Sequence, residues 1–273
     1  MPVTVFPENE LGFVACLARW ISPPAKAAKA ESADGEKAEP VVPSAFEAEC
    51  VKMDESGKVE ELSAKLRKEL LAKVAGGSAS DVQNAYAILF ELLVTWQLLL
   101  KQAESLADEL SGSSPGQLPE AEQQLRSSLL LSLYVLVQQH GALEQRFALL
   151  LRMISFCQAT GALGPVLGPV DARVERVERW VSEWELSEAQ QKELWGVVFD
   201  AHAADSRVSH ECAQKYFALH EAKDLATQPA LHKRIVQGLL ITIRSPELVR
   251  AGCPRVASAA RSVRFPARAA APN

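Results

Sequence analysis

Few side chains in this sequence could do chemistry, and their spacing limits what they can do. His210-Glu211-Cys212 and His220-Glu221 offer imidazole, carboxylate and thiol within one short stretch. A zinc helix of the H-E-x-x-H kind needs its second His four residues after the first, so that both rings leave the same helical face. Neither His has that partner. A Cys–His nucleophile pair would need Cys212 to meet His210, but residues two apart on a helix point in different directions. Cys212 therefore reads as a core cysteine, since an unpaired Cys is among the most buried residue types. The five cysteines, Cys16, Cys50, Cys157, Cys212 and Cys253, are odd in number and contain no C-x-x-C pair. That argues against a disulfide framework and against a zinc site. Gly161, Gly164 and Gly168 suggest a phosphate loop only superficially, because their spacing fits neither nucleotide fingerprint and no Lys-Ser/Thr follows. A G-x-S-x-G elbow, a P-loop and a paired-carboxylate motif are all missing. The expectation is a protein that is not an enzyme, with no catalytic, cofactor-binding or metal-binding residues.

Trp180, Trp184 and Trp195 are the other chemically distinctive residues, either a stacking platform for a ligand or a packed core. The elements around them decide between these. Val174, Val177, Val181 and Trp184 step by three, four and three, which lines one side of a helix, with the charges from Arg173 to Glu185 mostly on the wet side. Ser187 is followed three residues later by Gln190, the capping-box spacing of a new helix start. Leu194, Val197, Val198 and Ala201 give that second helix an apolar stripe. The short connection after Trp184 predicts a helical hairpin with the three tryptophans near its seam. Large aromatics at helical spacing are strongly rewarded by burial, so Trp180 and Trp184 read as packing between helix pairs.

The wider chain fits this picture. Apolar residues make up 48% of the 273, aromatics only 6%, and Leu and Ala outnumber β-branched residues, which predicts an all-α protein with few or no strands. A net charge of −5 gives no field to attract polyanions, so direct sequence-specific nucleic-acid binding is not expected. The most apolar run, Tyr86 to Leu100, contains Glu91 and Gln97 and is shorter than the ~20 residues a membrane span needs. No membrane partner is expected, and without a basic leader or cleavage signal the expected compartment is the cytoplasm.

In chain order, residues 1–21 carry a short amphipathic helix ending at Ile21, before Ser22-Pro23-Pro24. Residues 22–45 are rich in Pro and mixed charge with almost no large apolar residue, a flexible linker. Residues 46–245 form a helical-repeat domain. Within it a helix from Gly57 to Ala75 stops at Gly76-Gly77, and Val82 to Leu110 is one long helix or two with a bend. A helix over about 119–139 and its antiparallel partner from Leu143 meet at His140-Gly141. Val208–Leu219 and Leu231–Ile243 complete the domain. Residues 246–273 hold five arginines from Arg250 onward and form a basic, disordered tail.

The segment Val177-Glu-Arg-Trp180-Val-Ser-Glu-Trp184-Glu-Leu186-Ser resembles the V-x-x-W-[IV]-x-x-W-x-L-[ST] signature of the subunit M family of eukaryotic translation initiation factor 3, whose members carry a PCI domain. Likeness also runs through Leu125 to Val137 and Phe147 to Ala162, and more faintly through residues 57 to 110, so that the similar stretches together span roughly 60 to 243. The resemblance implies a curved stack of antiparallel helix pairs, the helical-repeat arm of a PCI module. It also implies a non-catalytic scaffold subunit that supports assembly of the complex and initiation. Its partners would be other PCI-type subunits and, indirectly, the small ribosomal subunit. The winged helix that completes a PCI module is not recognisable after Ile243. The rival readings are a PCI subunit of the COP9 signalosome or proteasome lid, and a free helical-repeat adaptor that binds a peptide.

Overall fold

The computed structural model describes residues 12–23, 43–112, 114–141, 143–170, 173–202, 206–220 and 229–244. The tail over 246–273, most of the linker over 22–45, and Glu221 lie outside the described residues. Among the described residues the regular structure is all helical, with no strand. The helices are α1 (Phe13–Ile21), α2 (Ala45–Glu55), α3 (Val59–Val74), α4 (Ala79–Thr95), α5 (Leu99–Ser111), α6 (Glu120–Gln139), α7 (Leu143–Thr160), α8 (Gly164–Leu167), α9 (Arg173–Glu183), α10 (Glu188–Ala201), α11 (Ser206–Ala218) and α12 (Pro229–Arg244). They fall into two compact units, residues 1–149 and 150–273.

In the first unit α1 packs on α2, α3 and α4 through Val14, Leu17, Ala18 and Ile21, which share one helical face. A polar clasp adds to this face. Arg19 donates to Glu47 from Nε at 3.1 Å and from Nη2 at 2.6 Å, and Glu47 is only 2% exposed. Such a fork matches both carboxylate oxygens and fixes the angle between α1 and α2. Helix α2 itself starts on Ser44, whose Oγ accepts the Glu47 amide at 3.1 Å. Ser44-x-x-Glu47 has capping-box spacing, a helix start signal carried by the sequence itself. Leu62, Leu66 and Leu70 of α3 are fully buried where α3 meets α4.

The apolar run Tyr86 to Leu100 divides into two helices. Helix α4 ends at Thr95, and Gln97 takes a left-handed conformation, φ 58°, with no glycine to allow it. The Leu98 amide donates to Leu93 O at 2.8 Å and the Gln97 amide to Val94 O at 3.0 Å, the paired bonds of a Schellman ending. Leu98, 7% exposed, is buried just beyond the turn. Burial of Leu98 and the two hydrogen bonds hold Gln97 against its own steric preference. Replacing Gln97 with Gly is accordingly expected to stabilise the protein by about 1 kcal/mol, the usual cost of a left-handed non-glycine residue. A thermal melt that moved downward would show that the Gln97 side chain makes a compensating contact. No helix among the described residues is long and apolar enough to cross a membrane.

In the second unit α10 packs on α11 and α11 on α12, while α9 lies against α8 and α11. The expected α9–α10 hairpin therefore needs correction, since α11 rather than α10 is the main partner of α9. The cause is the turn between them. Glu185 is left-handed, φ 48°, and the Leu186 amide donates back to Val181 O at 3.2 Å, so the chain leaves α9 at a sharp angle.

Candidate functional site

The signature-like segment is built as a helix end in which most positions have a structural task. Val177 is fully buried, Trp180 is 8% exposed and Trp184 6%. The buried stripe runs Val177, Trp180, Trp184, and the predicted Val174 and Val181 are only half-buried at its edges. The stripe is thus rotated toward Trp180 by part of a turn. The Trp180 and Trp184 rings stack with centroids 5.9 Å apart and planes 24° apart. Arg176 lies over Trp180, its Cζ 5.3 Å from the ring centre. Leu186 is buried just past the turn. The predicted capping box is present: the Ser187 Oγ accepts the Gln190 amide and Gln190 Oε1 accepts the Ser187 amide at 3.0 Å. A stacking platform for a ligand would present its rings to solvent, and these rings are inside.

A polar network ties α10, α11 and α12 together. Arg234 donates to both carboxylate oxygens of Asp200, from Nε at 3.1 and 3.2 Å and from Nη2 at 2.6 Å, and to the Tyr216 hydroxyl from Nη1 at 3.0 Å. Its hydrogen bond to Asp200 holds the guanidinium above its already high pKa, with burial opposing. The Tyr216 ring stacks parallel on Phe199 at 6.5 Å and carries the Arg234 guanidinium 5.2 Å from its centre. Gly196 makes room for the arginine. A Cβ at that position would lie 2.8 Å from Arg234 Nη1 and 3.2 Å from Tyr216 Cε2. Gly196→Ala is expected to displace Arg234 and cost about 1–3 kcal/mol, read as a lower denaturation midpoint. An unchanged midpoint would mean that the arginine swings aside without loss.

The candidate chemical groups find structural places. Cys212 is fully buried, as its core reading requires. His210 is 6% exposed; Gln214 Nε2 stands 3.0 Å from its Nε2 and Thr242 Oγ1 3.3 Å from its Nδ1. Thr242 Oγ1 donates to Gly238 O at 2.9 Å, so a neutral ring with its proton on Nδ1 satisfies all three groups. Burial lowers the His210 pKa, which favours that neutral ring. The glycine-rich stretch forms the short helix α8, with Val166 and Leu167 buried and left-handed glycines on either side at 161 and 168. No group of three or more His, Cys, Asp or Glu among the described residues could hold a metal ion. Sequence reasoning did not find the Asp200–Arg234–Tyr216 network, because its members lie far apart in the chain and carry no local pattern.

Comparison of the chain with protein-family models, with curated proteins and with solved structures gave no match.

Proposed function

We propose that this chain is a non-catalytic scaffold subunit of eukaryotic translation initiation factor 3, of the subunit M kind, acting through a curved stack of antiparallel helix pairs like the helical arm of a PCI module. One observation carries the reading. The signature residues Val177, Trp180, Trp184 and Leu186 are all buried, and Ser187 caps the next helix. The residues that define the resemblance are thus those on which the local fold depends. The all-helical architecture and its packed helix pairs support the same reading. In this role the chain binds other PCI-type subunits and reaches the small ribosomal subunit through them, in the cytoplasm, with no turnover of its own.

Sucrose-gradient sedimentation of a cell lysate tests it. The chain is expected to travel with initiation-factor subunits in fractions that hold the small ribosomal subunit. If it stays at the top of the gradient while those subunits move, the assignment is wrong. Travel with signalosome or proteasome-lid subunits would point to the sister PCI assemblies instead. A second reading, a free helical-repeat adaptor, is favoured by one feature, the exposed apolar face of α12.

A further inference from the structure

Helix α12 has two apolar faces, and among the described residues only one is covered. Leu231, Ile235 and Ile241 are buried, and α12 approaches α11 so closely at Gly238 that a Cβ there would lie 2.9 Å from the Phe217 ring. On the opposite side Val236 is 54% exposed, Leu240 46% and Ile243 71%. These three are spaced by four and three residues, so they form one continuous stripe. A helix that is apolar on both sides is a helix meant to be packed on both sides. Isolated exposed aliphatics need no explanation, but an aligned row on one helix marks an interaction surface.

The charges framing the stripe say what it fits. His232 and Lys233 are exposed at its start and Arg244 at its end. Helix α12 contains no acidic residue, and its remaining cation, Arg234, is committed to Asp200. On the neighbouring α11, Glu211 pairs with Arg207 and Lys215 with Glu178. The rim is therefore positive on a chain whose net charge is −5, so its sign is local rather than a reflection of the whole.

We propose that this outer face of α12 is a docking surface for an acidic amphipathic helix of another protein. Leucine-type anchors of such a helix would cover Val236, Leu240 and Ile243, and its flanking carboxylates would meet Lys233 and Arg244. A second copy of this chain fits poorly, because stripe against stripe in antiparallel register sets His232 and Lys233 beside Arg244. The chain's own end fits no better, since from Arg250 onward it holds five arginines and no acid. The stripe also lacks the Trp, Tyr and Phe that anchor helices in a membrane interface. The proposal stands whether or not the chain is an initiation-factor subunit.

The test titrates full-length protein into a fluorescently labelled synthetic helix of about 18 residues, five turns. This probe carries Leu on one face with Glu on both flanks. A second probe has Lys in place of every Glu. The acidic probe is expected to bind, more weakly as salt rises, and the basic probe to bind at least about tenfold less tightly. Leu240→Glu should abolish binding, and Lys233→Glu with Arg244→Glu should reverse the preference between probes. Three results would overturn the proposal: equal binding of both probes, binding of neither, or indifference to Leu240→Glu. It also fails if phosphatidylserine vesicles compete more strongly than the acidic helix, or if the wild type is a dimer that Leu240→Glu splits. A Leu240→Glu protein that melts well below wild type would show the stripe already covered by the chain itself, which likewise overturns it.

Discussion

Trp184→Ala is expected to cost about 3–5 kcal/mol of stability, the range for truncating a large buried aromatic. The ring is 6% exposed, stacks on Trp180 at 5.9 Å, and belongs to the residue just past the end of α9. Its loss opens a cavity and also loosens the turn. Glu185 holds φ 48° only while Leu186 stays buried beyond it, and with the neighbouring ring gone the left-handed residue has less to offset its strain. The second unit should melt earlier by on the order of 10 °C. Trp184→Phe keeps an aromatic against Trp180 and should recover part of the loss. Trp180→Ala should cost a similar amount, plus about 0.5–1 kcal/mol for the Arg176 cation over its face. Circular dichroism melts of the three variants check this. A Trp184→Ala protein that melts like wild type but no longer joins its partners would mean that the indole is a surface anchor.

How much of this was legible in the sequence follows from where each signal is stored. Apolar periodicity and side-chain caps are local, so α3, α6, α9, α10 and the Ser187–Gln190 box could be placed from spacing alone. The centre of the α9 stripe could not be placed to the residue. Trp180 and Val181 are adjacent, and a four-residue pattern anchored on valines selects Val181, whereas burial selects the larger ring. The breaks at Gly77 and Gly141 are legible from the glycines themselves. The breaks at Gln97 and Glu185 were hidden, because a left-handed non-glycine is chosen by burial of the following leucine and not by its own type. In hindsight the two ends read alike, Trp96-Gln97-Leu98 and Trp184-Glu185-Leu186. The Asp200–Arg234–Tyr216 ties and the Arg19–Glu47 clasp join residues distant in sequence. Periodicity carries no information about such pairs. The same limit applies to the candidate site: the tryptophans could be read as core, but the open side of α12 appears only once α11 is seen to cover the other.

In the first unit Arg126 joins a nearly buried ion pair to the closure of a helix end. Its side chain is 11% exposed and that of Glu122 10%, and Arg126 reaches Glu122 from Nη2 at 2.7 Å and from Nε at 2.9 Å. Its Nη1 also takes the carbonyl oxygens of Leu110 at 2.8 Å and Glu109 at 3.2 Å, two of the open acceptors at the end of α5. One guanidinium thus neutralises a nearly buried carboxylate and closes a helix terminus, where a cation is favoured by the dipole. Arg126→Met keeps most of the apolar volume and removes both functions. It is expected to cost about 3–5 kcal/mol, because the Glu122 carboxylate is left without its counter-charge. Adding Glu122→Leu removes that stranded charge, so the double variant should be more stable than Arg126→Met alone. It should not return to wild type, because the two α5 carbonyls stay without their donor, at about 1–3 kcal/mol. The cycle therefore separates the roles: the ion pair appears as the coupling between the two substitutions, the helix closure as the deficit that remains. Hydrogen exchange should locate that deficit in the last turn of α5. Additive losses with unchanged exchange there would show that neither the ion pair nor the helix closure carries the cost of the substitution.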